Sequence, residues 1–348
     1  MKKTKINNTP DIKSMWKGLA GHFENLSQII NELIDNCISN LKKYNPVKKN
    51  IIVSIVELDE ENISITIEDS GSGFQNIDAA FTIGGQDAQE SPLNEHGYGF
   101  KHAIAAACPD NRNWSIFTRT NTQFEQGVYT KVEAQYKLED FFSEEKSVQE
   151  QAWPGQIDGS GSFIVFQCKR ELFNTIKNGL RGNYSSFEGI VDILIEEIGF
   201  TYANLISAGL ANISVVYKNL NGEQKNKDVK AIEPEIEDLI TPGKGKSSVC
   251  LDGSNVNIEY EFGIMGKTDN HKYYKRNMST SGVEIRINGR VMEYNLFEEI
   301  WPLEKHNCYN YLLVCINIIS DNPDKLPKTV TSKNGIRHDD KKLIDLFE

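Results

Sequence analysis

Glu32 and Asn36 stand four residues apart in Glu32-Leu-Ile-Asp-Asn36. On a helix that spacing puts both side chains on one side, one turn apart. A carboxylate there could orient and deprotonate water. An amide oxygen one turn away could ligate Mg²⁺, a hard cation that prefers oxygen. Alone, the pair also fits two solvated polar residues on an amphipathic helix. Three glycine-rich segments follow. Asp69-Ser-Gly71-Ser-Gly73 ends an alternating apolar stretch. Its carboxylate could accept a hydrogen bond from the exocyclic amino group of adenine, and its glycines would let the backbone approach a flat ring without a Cβ clash. Glu95-His-Gly97-Tyr98-Gly99-Phe100-Lys101 runs into an alanine-rich segment. Backbone N–H groups at a helix N-terminus, with the Lys101 cation added, make a cradle for phosphates. It is not a P-loop, because no Gly-x-x-x-x-Gly-Lys-Ser/Thr occurs. Gly159-Ser-Gly-Ser162 opens an apolar strand, and the Ser162 hydroxyl could support Asp69 through a shared water. Singly, these three segments also read as an Asp/Gly turn, a Gly-x-Gly before a helix and a hairpin turn.

The elements that must carry these residues follow from hydrophobic periodicity. Between Glu24 and Leu41, the residues Leu26, Ile29, Ile30, Leu33, Ile34, Cys37, Ile38 and Leu41 form one apolar stripe at helical spacing. Asn45-Pro46 stops that helix. At about 100° per residue, Glu32 and Asn36 border the stripe and sit at the edge of the core. Residues 51–56 predict a strand, and 62–68 predict a second with Ile63, Ile65 and Ile67 on one face. The Gly/Ser/Asn/Gln-rich stretch 70–99 reads as a mobile loop. Alanines 103, 105, 106 and 107 favour a helix over 100–108. Strands are expected at 114–120, 127–136 and 162–168, and the polar segment 171–187 is a candidate boundary. A helix over 187–208 and strands at 213–217, 256–264, 282–287 and 312–319 follow, with 241–246 as a surface loop. The expectation is two α/β domains, 1–180 and 181–348.

The chain has 348 residues, which favours two domains at about 150 residues each. With 39% hydrophobic and 25% charged residues, it is neither disordered nor collagen-like. Its apolar runs, such as 311–316, fall far below the ~20 residues of a membrane span. Residues 1–10 are basic but lead into no apolar stretch, unlike a secretory signal. A cytoplasmic protein without membrane partners is expected. A net charge of −11 argues against coating nucleic acid through bulk positive charge, though not against a local basic patch. Lys267, Lys272, Lys275 and Arg276 cluster with Tyr273 and Tyr274, a set that could contact phosphates and stack on bases, or could form a solvated charged loop. The six cysteines show no Cys-x-x-Cys pair, and His306-x-Cys308 with Cys315 is too loose for zinc, so reduced thiols are expected.

In order and spacing, Glu32–Asn36, Asp69–Gly73, Gly97–Lys101 and Gly161-Ser162 resemble the four boxes of the GHKL ATPase superfamily of gyrase, heat-shock chaperones, histidine kinases and MutL. Ser162 replaces the usual Thr and keeps the hydroxyl. The first and third boxes look like the MORC branch. Tyr202-Ala-Asn-Leu-Ile206, Ile213–Val216, Ile232-Glu-Pro234 and Gly282–Arg290 are similar to a ribosomal-protein-like transducer domain. Leu326–Gly335 resembles the loop whose lysine reaches the terminal phosphate, with Lys333 the candidate and Lys328 the other lysine in register. The resemblance implies a two-layer α/β sandwich with a mixed, mostly antiparallel sheet, followed by the transducer. It also implies ATP and Mg²⁺ as ligands. Glu32 and Lys333 would be catalytic, Asn36 would hold the metal, and Asp69 would read adenine. Gly71, Gly73, Gly97, Tyr98, Gly99, Phe100, Lys101 and Ser162 would complete the nucleotide site under a lid at 75–98. Slow, Mg²⁺-dependent hydrolysis would drive an ATP-dependent homodimer acting on DNA or partner proteins, by analogy in restriction or phage defence. A chaperone-like ATPase and a nucleotide-sensing module with negligible turnover are the alternative readings.

Overall fold

The computed structural model describes residues 10–82, 99–177, 185–301, 303–330 and 335–348, with backbone alone at 238–242. The first part of the chain forms α1 (Ile12–Ala20), α2 (Leu26–Tyr44), β1 (Asn50–Glu57), β2 (Asn62–Asp69), α3 (Ile77–Phe81), α4 (Gly99–Ala107), β3 (Trp114–Arg119), α5 (Asn121–Gln126), β4 (Val128–Glu133), β5 (Glu144–Ser147), β6 (Gly161–Lys169), α6 (Arg170–Asn174), α7 (Phe187–Thr201), α8 (Ala203–Ser207), β7 (Asn212–Lys218) and β8 (Gln224–Asp228). Among the described residues these strands make an eight-stranded sheet in the order β5-β4-β3-β6-β2-β1-β7-β8. Every neighbouring pair is antiparallel except β1 with β7. The alternation read from the sequence holds: Ile51, Val53 and Ile55 of β1 and Ile63, Ile65 and Ile67 of β2 are buried.

The stripe of α2 packs on that face, with Leu26, Ile30, Leu33, Ile34, Ile38 and Leu41 fully buried. Each such side chain contributes about 1.5–3 kcal/mol on leaving water, so the register of α2 over the sheet is strongly determined. Asn25 caps its start by accepting the Gln28 N–H, and Asn45 ends it in the left-handed conformation at φ 43°.

The second part forms β9 (Ile236–Leu251), β10 (Ser254–Met265), β11 (Gly282–Ile287), β12 (Arg290–Leu296), β13 (Leu312–Ile319) and α9 (Lys341–Phe347). Its five strands run in the order β12-β11-β13-β10-β9. The fold is thus α/β with two sheets and covering helices. Two expectations change. The switch of sheets lies between Asp228 and Ile236 rather than near residue 180, because β7 adds to β1 in parallel register and takes α7 and α8 with it. Residues 241–246 belong to β9 rather than to a loop. This edge strand absorbs the Pro-Gly segment in a bulge: pairing passes from Leu239 with Gly263 directly to Lys244 with Glu261.

α7 and α8 lie between the sheets. Phe200 stacks on Tyr273 with ring centroids 3.8 Å apart. Asn204 of α8 accepts from Arg286 of β11, and Glu284 accepts the Tyr274 hydroxyl at 2.8 Å.

Candidate functional site

Strand register builds one end of the site. Asp69, the last residue of β2, pairs with Ser162 of β6 on one side and Ile51 of β1 on the other. Its Oδ1 accepts the Gly71 N–H at 2.8 Å, and its Oδ2 accepts the Cys37 thiol at 3.7 Å. Ser162 stands directly across the ladder from Asp69, and Thr118 Oγ1 lies 3.5 Å from Ser162 Oγ. Burial pushes the Asp69 carboxyl up to about 6, against the opposing pull of Gly71, Cys37 and Ser162. Burial and the neighbouring Asp69 charge together raise the Cys37 thiol well above its usual range, so its proton stays on sulfur and is donated. Gly161 is required here. Its φ is 151°, and a Cβ would strike the Asp69 carbonyl oxygen.

The loop after Asp69 is pinned to α2 by a residue that sequence reasoning passed over. Asn40 Oδ1 accepts the Ser72 N–H at 2.8 Å while its Nδ2 donates to Ser72 Oγ at 3.1 Å. Gly73 turns in the left-handed region at φ 72°, and the next N–H, that of Phe74, donates to Thr118 Oγ1 at 2.7 Å. The signal for Asn40 was its spacing: it continues the Glu32, Asn36 series by one more turn. Thr118 carried no such signal, since its role comes from β3 pairing with β6.

The other end lies along the same helix. Glu32 is buried, at 1% exposure. The first residue of α4, Gly99, is so close that a Cβ on it would overlap the Glu32 carboxylate and approach its Cγ to 3.3 Å. The first and third sequence boxes therefore touch. Between the two ends sits Asn36. Its Oδ1 and Nδ2 are both buried and make no hydrogen bond among the described residues. A buried amide oxygen without a donor suits a ligand or a hard cation. Among the described residues no group of three or more His, Cys, Asp or Glu could hold a metal alone. A divalent cation at Asn36 would have to bring further oxygen ligands with it, as a metal–phosphate complex does.

Several expected contacts differ. Lys101 is buried, and its ammonium donates to the Ala80 carbonyl at 2.8 Å. Burial lowers it to about 8. Phe100 meets Phe74 and Phe81 edge-on, each with ring centroids 5.9 Å away, so it ties α4 to α3. Gly97, Tyr98 and Lys333 lie outside the described residues, as does most of the expected lid. Lys328 is exposed, and its carbonyl accepts the Arg337 N–H at 2.8 Å. The basic–aromatic cluster is not a stacking surface. Tyr273 and Tyr274 are buried at 3% and 2% exposure in the core shared with Phe200, Lys272 pairs with Glu197, and Arg276 donates to the Met265 carbonyl.

Among the described residues no helix is long and apolar enough to cross a membrane. No family model matches the chain, and no curated protein does. Among solved structures, the chain is similar to one described as the crystal structure of the N-terminal domain of a DNA repair protein. That similarity has 15% identity and a TM-score of 0.54, and it covers 97% of this chain and 95% of that one. At this identity the likeness is one of fold.

Proposed function

We propose that this protein is a GHKL-type, MORC-like ATPase that binds ATP with Mg²⁺ and hydrolyses it slowly. One observation carries the reading: a single helix, α2, presents Glu32 against Gly99, the Asn36 amide that has no partner among the described residues, Cys37 against Asp69, and Asn40 against Ser72. Glu32 and Cys37 are five residues apart, roughly 7.5 Å along the axis, so a purine at Asp69 and phosphates near Gly99 would share one cleft. The Asp69 carboxylate would accept from the adenine amino group, with Ser162, Gly71 and Cys37 holding it in orientation. Glu32 would orient a water and take its proton. Asn36 would hold Mg²⁺, which supplies neutralisation of phosphate charge when bound. Lys333 would meet charge developing at the terminal phosphate. ATP-dependent pairing of two copies, and action on DNA or on partner proteins, complete the proposal. The DNA arm rests on the fold-level likeness to a DNA repair protein's N-terminal domain.

Calorimetric titration with ATP and Mg²⁺, paired with phosphate release, tests the reading. Glu32→Ala should keep ATP affinity, lose hydrolysis and trap a dimer. A Glu32→Ala protein that releases phosphate at the wild-type rate removes Glu32 from the role. Release stimulated by DNA and weakened steeply by salt supports the DNA arm. Stimulation by unfolded client proteins instead supports a chaperone-like ATPase, and binding without release supports a nucleotide sensor.

A further inference from the structure

The two sheets meet at a buried ion pair for which hydrolysis has so far given no role. Arg290, the first residue of β12, donates from Nε to Asp35 Oδ1 at 2.9 Å. The side chains are 5% and 0% exposed. The Tyr202 hydroxyl lies 2.9 Å from the same Oδ1 and 2.9 Å from the Asn31 carbonyl oxygen. Tyr202 occupies the junction between α7 and α8. The guanidinium also directs Nη1 to Met292 Sδ at 3.0 Å and rests over the Tyr202 ring. Burial disfavours its charge, but Asp35 foremost, then Tyr202 and Glu32, hold it protonated. Arg290 therefore lies within electrostatic reach of the carboxylate expected to handle the water.

Asp35 sits between Glu32 and Asn36 in the same turn of α2. A buried charge pair resists separation, because parting it strands both charges. The second sheet thus grips α2 at the turn that carries the chemistry. Among the described residues the contacts at the Asp69 end come from the first sheet and its helix: Gly71, Ser162, Cys37 and Asn40.

Resting on the hydrolytic reading above, we propose that Arg290 is a positioning residue. Through Asp35 it fixes the Glu32–Asn36 turn from the second sheet. Turnover then depends on how the sheets are joined, and nucleotide binding does not.

The test uses the full chain, with R290K and the double variant D35N/R290M. The first keeps the charge and loses the planar fork. The second removes the pair without leaving a lone buried charge and keeps an oxygen for Tyr202. Expected are a kcat for phosphate release at least about tenfold lower in both, with R290K retaining more, and an ADP affinity by calorimetry within about twofold of wild type. Melting midpoints measured alongside give the folded fraction. A double variant whose kcat per folded molecule equals wild type overturns the proposal and leaves Arg290 structural only. A loss of ADP affinity as large as the loss of kcat overturns it as well. A wild-type protein that releases no phosphate overturns the hydrolytic reading and this inference with it.

Discussion

The two ends of the polar face of α2 have different supports. At Asp69 the supports are strand register, with Ser162 across the ladder, and hydrogen bonds from Gly71 two residues on and from Cys37 of the helix that covers the same sheet. At Glu32 the supports are other elements, with α4 pressing Gly99 against the carboxylate and β12 reaching Asp35 from the second sheet. Hydrogen-bonded register fixes an acceptor to within a fraction of an ångström and travels with the sheet. Contacts between elements fix a group only while those elements stay docked. The first arrangement suits recognition, and the second suits a step that can be switched by how the parts are joined.

The sharpest way to separate the two ends is to disturb one alone. Gly99→Ala adds a methyl where the Glu32 carboxylate lies. Alanine is accepted in a helix at least as well as glycine, so a defect reports the contact with Glu32 rather than a weakened α4. The expected outcome is a fall in kcat of about 100-fold that exceeds any loss of ADP affinity, read by phosphate release and calorimetry. Turnover at the wild-type level would show that Glu32 has room to spare. Asp69→Asn attacks the other end. It exchanges an anionic acceptor for a neutral one and should weaken ADP binding about tenfold or more, since a hydrogen bond to a charged group is worth about 1.5–3 kcal/mol. Unchanged affinity by calorimetry would remove Asp69 from purine recognition.

How far the sequence discloses each end follows the same division. The Asp69 end was legible because its signals are local. An alternating strand that ends in Asp-Ser-Gly-Ser-Gly states both the register and the turn. The stripe of α2 was equally plain, since eight apolar residues repeat at 3.6 spacing. What stayed hidden came from long-range placement. Arg290 meets Asp35 across 255 positions, and no periodicity records that meeting. Tyr273 and Tyr274 sat among lysines and looked exposed, yet Phe200 draws Tyr273 into a stacked pair. Lys101 followed glycines at a helix start and looked free for phosphate, but α3 offers its ammonium a carbonyl. The polar stretch near residue 180 looked like a boundary, because composition cannot reveal that β7 returns to pair with β1.

Acidity probes the Asp69 end more gently. Its carboxyl stands at about 6 in the folded protein, against about 4 in an unfolded chain. Below pH 4 both states carry the proton. Between 4 and 6 only the folded state does, so the stability this proton confers is full on the acid side and lost as pH rises through 6. Two units amount to about 3 kcal/mol at most. Nucleotide binding should run the other way. An amino donor prefers the carboxylate, so ADP affinity should fall by up to about tenfold per unit below pH 6. Calorimetry at pH 7, 6 and 5 checks the slope, and Asp69→Asn should flatten both trends. Parallel slopes in the wild type and Asp69→Asn would assign the titration to another group.

The smallest expected effect falls on the joint between α2 and the glycine loop. Asn40→Ala removes the acceptor of the Ser72 N–H and the donor to its hydroxyl. Leaving a part-buried backbone N–H unpaired costs about 1–3 kcal/mol, and water reaching a half-exposed loop holds the loss near the lower figure. ADP affinity should fall about fivefold with kcat unchanged, because the loop serves the purine and Glu32 lies two turns away. A fall in kcat without one in affinity would place Asn40 with the Glu32 end. Support would then run along α2 itself, and the division between a sheet-built end and a docked end would give way to one continuous helix.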